Sequence, residues 1–202
     1  MNRVVEWCRG LSDISGAHAN SVTGRLVSPV SLFASLLGAE FAKLDPGLRW
    51  VHGGESRKLR GTVTVERGTS FAAKVLGTLA QLPPSMADAP LEVHIETTGY
   101  RERWTRLFAD RHRMVSTLVL GGDLLVERLG AAVLKFRLLA RGGALEWQLV
   151  QISGAGIPLP LSWFRVSAAS DMRGGRYHFA IDARVRGIGR IVRYEGLLDA
   201  KP

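Results

Sequence analysis

From Gly61 to Lys201 the chain alternates apolar and polar residues in run after run, separated by short turns that carry glycine. Phe179, Ile181, Ala183 and Val185 fall on one face of one run, with His178, Asp182, Arg184 and Arg186 on the other. A period of two buries one face and leaves the other in water, the pattern of a half-buried strand. After a turn bearing Gly187 and Gly189, Val192, Tyr194 and Leu198 repeat it against Arg193 and Glu195, which predicts a hairpin. The same reading yields strands through Val63 and Val65; through Leu91, Val93 and Ile95; and through Trp104 and Phe108. It continues through Val115, Thr117 and Val119, through Leu134, Phe136 and Leu138, and through Leu145, Trp147 and Leu149. Nine to ten strands result, mostly meander-connected.

Two stretches change period. Ser28 and Pro29 supply a cap and a first-turn proline, after which Leu32, Phe33, Leu36, Leu37, Phe41 and Leu44 recur at helical spacing until Asp45, Pro46 and Gly47. A second helix is expected from Thr69 to Leu82, with Phe71, Val75, Leu79 and Leu82 on one stripe, ended by Pro83 and Pro84. The helices lie ahead of the long strand series, so the fold class is α+β rather than a parallel α/β sheet. So many strands accumulate too much twist for a flat sheet. The expectation is a strongly curved antiparallel sheet or partial β-barrel packed on two amphipathic helices, its concave side apolar. Residues 28–202 form one domain on this reading and residues 1–27 a loosely ordered lead.

Composition narrows the chemistry. The first 28 residues contain Arg3, Glu6, Arg9 and Asp13 without the apolar run of a signal peptide, and no stretch approaches a membrane span, so a cytoplasmic protein is expected. Cys8 is the one cysteine, which excludes an internal disulfide. His18, His52, His94, His112 and His178 form no helical pair and have no cysteine partner, so no metal site is expected. Gly187 and Gly189 lie between strands, outside any dinucleotide fingerprint, and Ser153 lacks the setting of a nucleophile elbow. No catalytic residue and no cofactor is assigned, and the reading leans away from an enzyme. Of the 27 basic residues 22 are arginine, against 18 acids. The runs at 101–113 and 173–193 are arginine-rich without aromatic residues on the same face, which reads as a solvated sheet face rather than a nucleic-acid site.

Trp104, Arg106 and Phe108 alternate onto one face, so an inward pair of aromatics carries a guanidinium inward with it. A buried arginine needs a carboxylate or carbonyl. Glu127, on the face of Leu125 and Leu129, is the natural partner, and the pair is either a structural bridge or a ligand anchor. The segment from Gly154 to Phe164 places Pro158 and Pro160 among apolar residues and cannot continue a central strand. It is a hydrophobic lip over a cavity, a docking patch for a membrane or partner, or a buried crossover.

Several short motifs occur together: Trp104 to Phe108, Glu127 to Gly130, Gly156 to Pro160, Gly175 to Phe179 and Arg193 to Gly196. With His52-Gly53, Val65 to Gly68 and Leu82 to Pro84 ahead of them in order, the chain resembles the bacterial family called domain of unknown function 4166 over roughly Phe33 to Leu198. Within the last motif it departs from the family pattern, with Glu195 where a basic residue is common and Leu197 where an aromatic one is expected. The resemblance implies no particular activity, but members often follow an oxidoreductase domain of the saccharopine dehydrogenase or short-chain type. Two functions therefore stand. One is a binding module for a hydrophobic or lipid-like small molecule, with Trp104, Arg106, Phe108, Glu127, Phe136, Trp147, Trp163, Phe179 and Tyr194 around the ligand. The other is an accessory domain for a separate nucleotide-binding oxidoreductase.

Overall fold

The structure, a computed structural model, describes residues 31–200; the expected lead over 1–27 and the proposed Ser28–Pro29 cap lie outside the described residues. Eleven antiparallel strands dominate: β1 (Arg57–Arg67), β2 (Met86–Thr98), β3 (Arg101–Phe108), β4 (His112–Gly121), β5 (Leu124–Leu129) and β6 (Ala132–Arg141), then β7 (Ala144–Gly154), β8 (Ile157–Leu159), β9 (Phe164–Arg173), β10 (Arg176–Val185) and β11 (Gly189–Asp199). Consecutive strands pair along the meander except β8 and β9, since β9 pairs with β7 instead. β11 returns to β1, with Arg60 opposite Asp199 and Arg67 opposite Val192, while β6 pairs with β7. Ten strands thus make a closed barrel, and β8 lies outside the ring on β7. The antiparallel strands with few helices agree with the expectation, but the sheet is closed rather than partial. Closure satisfies the edge groups that an open sheet would leave unpaired.

The ring has one short seam. β7 and β9 pair only at Leu145 with Ser170 and Glu146 with Ala169. Beyond those pairs β7 turns back through β8, and the chain crosses a 3₁₀ turn at Leu161–Trp163 before rejoining the ring. Pro158 lies opposite Ser153 on this short outer strand, where its missing N–H interrupts no barrel ladder.

Inward faces follow the alternation, except in β4. There Met114, Ser116 and Leu118 are buried, while Val115, Thr117 and Val119 are only half-buried, opposite to the sequence reading. Both faces of this strand are largely apolar, so hydropathy did not choose between them. Register did: Arg106 stands opposite Met114 and Trp104 opposite Ser116. At β1, Gly61 allows the ladder to close, because a Cβ there would lie 1.9 Å from the Leu197 carbonyl oxygen.

One end of the barrel is plugged. The expected first helix is in fact α1 (Leu32–Leu37), a 3₁₀ stretch (Gly38–Lys43) and α2 (Pro46–Val51). Ser31 caps α1, its Oγ accepting from the Ala34 N–H at 3.0 Å. Asp45 and Pro46, read as a stop, also start α2: the Asp45 carboxylate accepts from the Gly47 N–H, and proline occupies the first turn, where no N–H is missed. The Asp45 N–H donates to the Gly143 carbonyl, fastening the plug to the β6–β7 turn. Leu32, Phe33, Leu48 and Val51 are buried inside that end.

The other end carries α3 (Phe71–Leu79), shorter than the expected Thr69–Leu82 and turned over. Its buried residues are Ala73 and Gly77, while the apolar stripe of Phe71, Val75 and Leu79 faces solvent. The reason is Arg67 of β1, whose guanidinium donates to the Leu82 carbonyl at 2.8 Å and the Pro83 carbonyl at 3.2 Å. It occupies the space where a Gly77 side chain would be, so only the small-residue face of α3 can lie against the barrel.

The plug is close-packed. Leu48→Ala is therefore expected to cost about 2–5 kcal/mol in denaturant-induced unfolding. A loss well under about 1 kcal/mol would mean that the helices are not part of the core.

Candidate functional site

Above the plug the barrel is hollow. A cavity of about 380 Å³ extends from Val51, Trp104, Trp147 and Tyr177 towards α3, with a wall made mainly of aliphatic and aromatic side chains. Ten strands enclose more space than their inward side chains fill, and α1 and α2 occupy only one end. At the α3 end Leu76, Leu79, Ala131, Ala155 and Leu159 border the opening, and Phe164, Val166 and Ala168 line it beside the short β7–β9 seam.

Trp104, Arg106, Phe108, Glu127, Phe136, Trp147, Phe179 and Tyr194 all line this one cavity. Trp163 does not; it is half exposed on the 3₁₀ turn outside. The aromatic rings form a continuous wall: Trp147 meets Phe136 at 5.5 Å and Trp104 at 6.4 Å edge-on, while Tyr194 meets Phe179 at 6.0 Å. Gly196 makes room for the last of these, since a Cβ there would fall 2.6 Å from the Phe179 ring.

A polar cluster breaks the apolar wall. The Arg106 guanidinium lies 3.8 Å from the Glu127 carboxylate, donates to Ser116 Oγ at 3.0 Å and stands 5.1 Å from the Trp104 ring centre. Both charged side chains are 12% exposed, so each is largely desolvated beside its partner. Burial pushes the Tyr194 phenol up, with the Arg106 charge pulling it back and Glu127 adding to the rise. Ser170 Oγ is buried in the cavity wall, beside the Tyr177 hydroxyl.

Three buried polar groups escaped the sequence reading. Glu102 shares the inward face of Trp104, and its carboxylate accepts from the Trp104 indole N–H at 2.8 Å. The alternation Glu102, Trp104, Arg106, Phe108 already carried that signal. His52, at the end of α2, sits between the Phe33 and Trp104 rings, with Nε2 at 3.3 Å from the Tyr177 hydroxyl. No local pattern marks it, because tertiary packing alone buries it. His178, assigned to the solvated face, is buried on the outside of the barrel: Nδ1 lies 2.8 Å from Asp171 and Nε2 2.9 Å from Glu195. These carboxylates, on β9 and β11, cover it from both sides. Hydrogen bonding from His178 is the main cause holding Glu195 below the usual carboxylate range. Among the described residues no group of His, Cys, Asp and Glu is arranged to hold a metal ion, and no helix is long and apolar enough to cross a membrane.

His52 and Glu102 give stability opposite pH dependences. Burial without a counter-charge pushes the His52 pKa down to about 3, so below about pH 6.5 the unfolded chain takes up a proton that the folded one refuses. Its effect is a loss of stability as pH falls from there towards 3. Burial pushes Glu102 up to about 7, only partly offset by the indole hydrogen bond. The unfolded carboxyl ionises first, so the contribution of Glu102 is complete in acid and is lost as pH rises from its ordinary value through about 7. Glu102→Gln removes that second slope. Urea midpoints across pH 4.5 to 8, set beside those of E102Q, are expected to show the native protein losing about 1–3 kcal/mol that the variant keeps; parallel profiles would refute the assignment.

The sequence matches no curated protein. A solved structure, that of Rv2717c from M. tuberculosis, aligns with 79% of this chain and 99% of its own at 13% identity, with a TM-score of 0.45. A family model described as Domain of unknown function (DUF4166) matches residues 44–198, from two residues before α2 to the penultimate residue of β11, which takes in every cavity residue. The chain belongs to the DUF4166 family.

Proposed function

We propose that this protein is a binding module that encloses a hydrophobic small molecule in its barrel. The carrying observation is the hollow, apolar interior of about 380 Å³, within the range of small-molecule sites of about 300–1,000 Å³. A barrel needing only to be stable gains by filling such space, because every wall atom facing a void forgoes dispersion contacts.

The polar cluster says which head group suits the site. Arg106 and Glu127 together carry no net charge, and an incoming carboxylate would face the Glu127 carboxylate as well as the guanidinium. A neutral group that both donates and accepts, such as a hydroxyl or an amide, meets Arg106 and Glu127 without stranding a charge. The ligand class is an apolar body with one neutral hydrogen-bonding head.

An environment-sensitive fluorescent fatty alcohol is the direct probe. It is expected to bind and to be displaced by an unlabelled long-chain alcohol at least about tenfold more readily than by the matching carboxylate. Ala168→Trp places an indole in the cavity and is expected to weaken binding by about tenfold or more while the barrel stays folded. Binding that survives A168W unchanged would put the ligand elsewhere, and no binding of any apolar probe would end the proposal.

A further inference from the structure

The mouth of the barrel has the build of a surface that enters a lipid bilayer. On α3, Phe71 is 83% and Leu79 57% exposed; across the opening, Ile157 is 66% and Trp163 52% exposed. Single exposed apolar residues are ordinary, but large ones gathered on one rim mark a partner or membrane site. Here the exposure is enforced, since Arg67 beneath Gly77 leaves α3 no other way to lie.

These side chains belong to one rim. The Ala131 N–H donates to the Leu79 carbonyl and the Ala155 N–H to the Ala131 carbonyl, linking α3, the β5–β6 turn and the β7–β8 turn. The Arg186 N–H donates to the Trp163 carbonyl, and the Ser70 hydroxyl donates to the Ile188 carbonyl at 3.4 Å, carrying the chain of contacts from the 3₁₀ turn through the β10–β11 turn back to α3. On the remaining side His112 Nε2 lies 2.9 Å from the Gln81 carbonyl. The apolar side chains therefore stand on a connected collar around the cavity opening.

Charge identifies the occupant. On the helix, turns and strand ends that form this end, Lys74, Arg111, Arg113, Arg128, Arg165 and Arg186 are exposed, and none makes an ion pair among the described residues. Of the acids on the same segments, Glu66 is paired with Arg190 and Glu127 with Arg106, which leaves Asp110 as the acid without an ion pair among the described residues. A second copy of the chain would bring one basic collar against another, a like-charge contact that opposes association. An anionic bilayer takes both parts at once, with apolar side chains below the head groups and bases among them.

We infer that the α3 end docks on anionic lipid membranes, with Phe71, Leu79, Ile157 and Trp163 inserted and the basic collar on the head groups, so that the cavity opens directly into the lipid. This inference rests on the binding-module reading for its purpose but not for its test. The docked orientation also turns the β7–β9 seam and its lining residues Phe164, Val166 and Ala168 towards the membrane.

Co-sedimentation of the full chain with phosphatidylcholine vesicles, and with mixed phosphatidylcholine–phosphatidylglycerol vesicles, is the test. Binding is expected to the mixed vesicles only, to weaken with added salt, and to fall by about tenfold or more in Phe71→Ser/Trp163→Ser. Both positions lie outside the cavity lining and are exposed, so the variant is expected to keep its urea midpoint and its uptake of the fatty-alcohol probe from solution. A168W, with its cavity filled, is expected to dock as the native protein does. Docking without any probe uptake would sink the binding-module reading and leave this one standing; probe uptake without docking would do the reverse. Equal binding to neutral and anionic vesicles, binding untouched by F71S/W163S, or self-association through α3 in place of vesicle binding would each overturn the inference.

Discussion

Closure of the β-ring is the constraint on which the rest depends. Once β11 pairs with β1 and β6 with β7, every inward side chain faces a space whose size is set by the number of strands rather than by the side chains themselves. Ten strands leave the interior too wide for one layer of residues to fill. The α1–α2 plug takes up the excess at one end, where Leu32, Phe33 and Leu48 are fully buried. At the other end nothing equivalent enters, because Arg67 turns the apolar side of α3 outward. One barrel thus has a packed base and an open, greasy mouth.

The interior polar groups fit that division. At the base, burial disfavours the charged forms of His52 and Glu102, and each has an aromatic neighbour carrying a hydrogen-bonding group, Tyr177 for His52 and Trp104 for Glu102. Higher in the barrel the charges come as a pair, Arg106 with Glu127, which avoids leaving an isolated ion in an apolar surround. Buried polar atoms without a partner occur at both levels, His52 Nδ1 at the base and Ser170 Oγ on the cavity side.

The outer surface shows why arginine was a poor guide to function. Arg184 lies 3.1 Å from Asp182, Arg190 pairs with Glu66, and Arg173 reaches both Asp171 and Glu195. Those exposed pairs neutralise much of the β9–β11 face and contribute little stability each. Among the exposed cations without such partners, Lys74, Arg111, Arg113, Arg128, Arg165 and Arg186 lie at the mouth while Arg49, Arg101 and Arg137 lie elsewhere, a distribution invisible in a charge count, because it depends on which turns come together at one end.

The sequence by itself determined the strands, their antiparallel meander and most of the inward set. Alternation is a property of neighbouring residues, and Trp104, Arg106, Phe108, Phe136 and Phe179 announce their face locally. It also determined the pairing of Arg106 with Glu127, because a buried guanidinium requires an acid and the meander offered Glu127. It misplaced Trp163, whose aromatic character suits a cavity wall and a surface wedge equally. Only the tertiary structure decided closure, the inward face of β4, the orientation of α3 and the burial of His52 and His178. Each of these depends on groups distant in the chain: β11 against β1, Met114 against Arg106, Arg67 under Gly77, the plug over His52, and the carboxylates of β9 and β11 around His178. Whether the barrel is hollow belongs to the same class, since it is a balance between enclosed volume and side-chain volume, and no short stretch of sequence contains both terms.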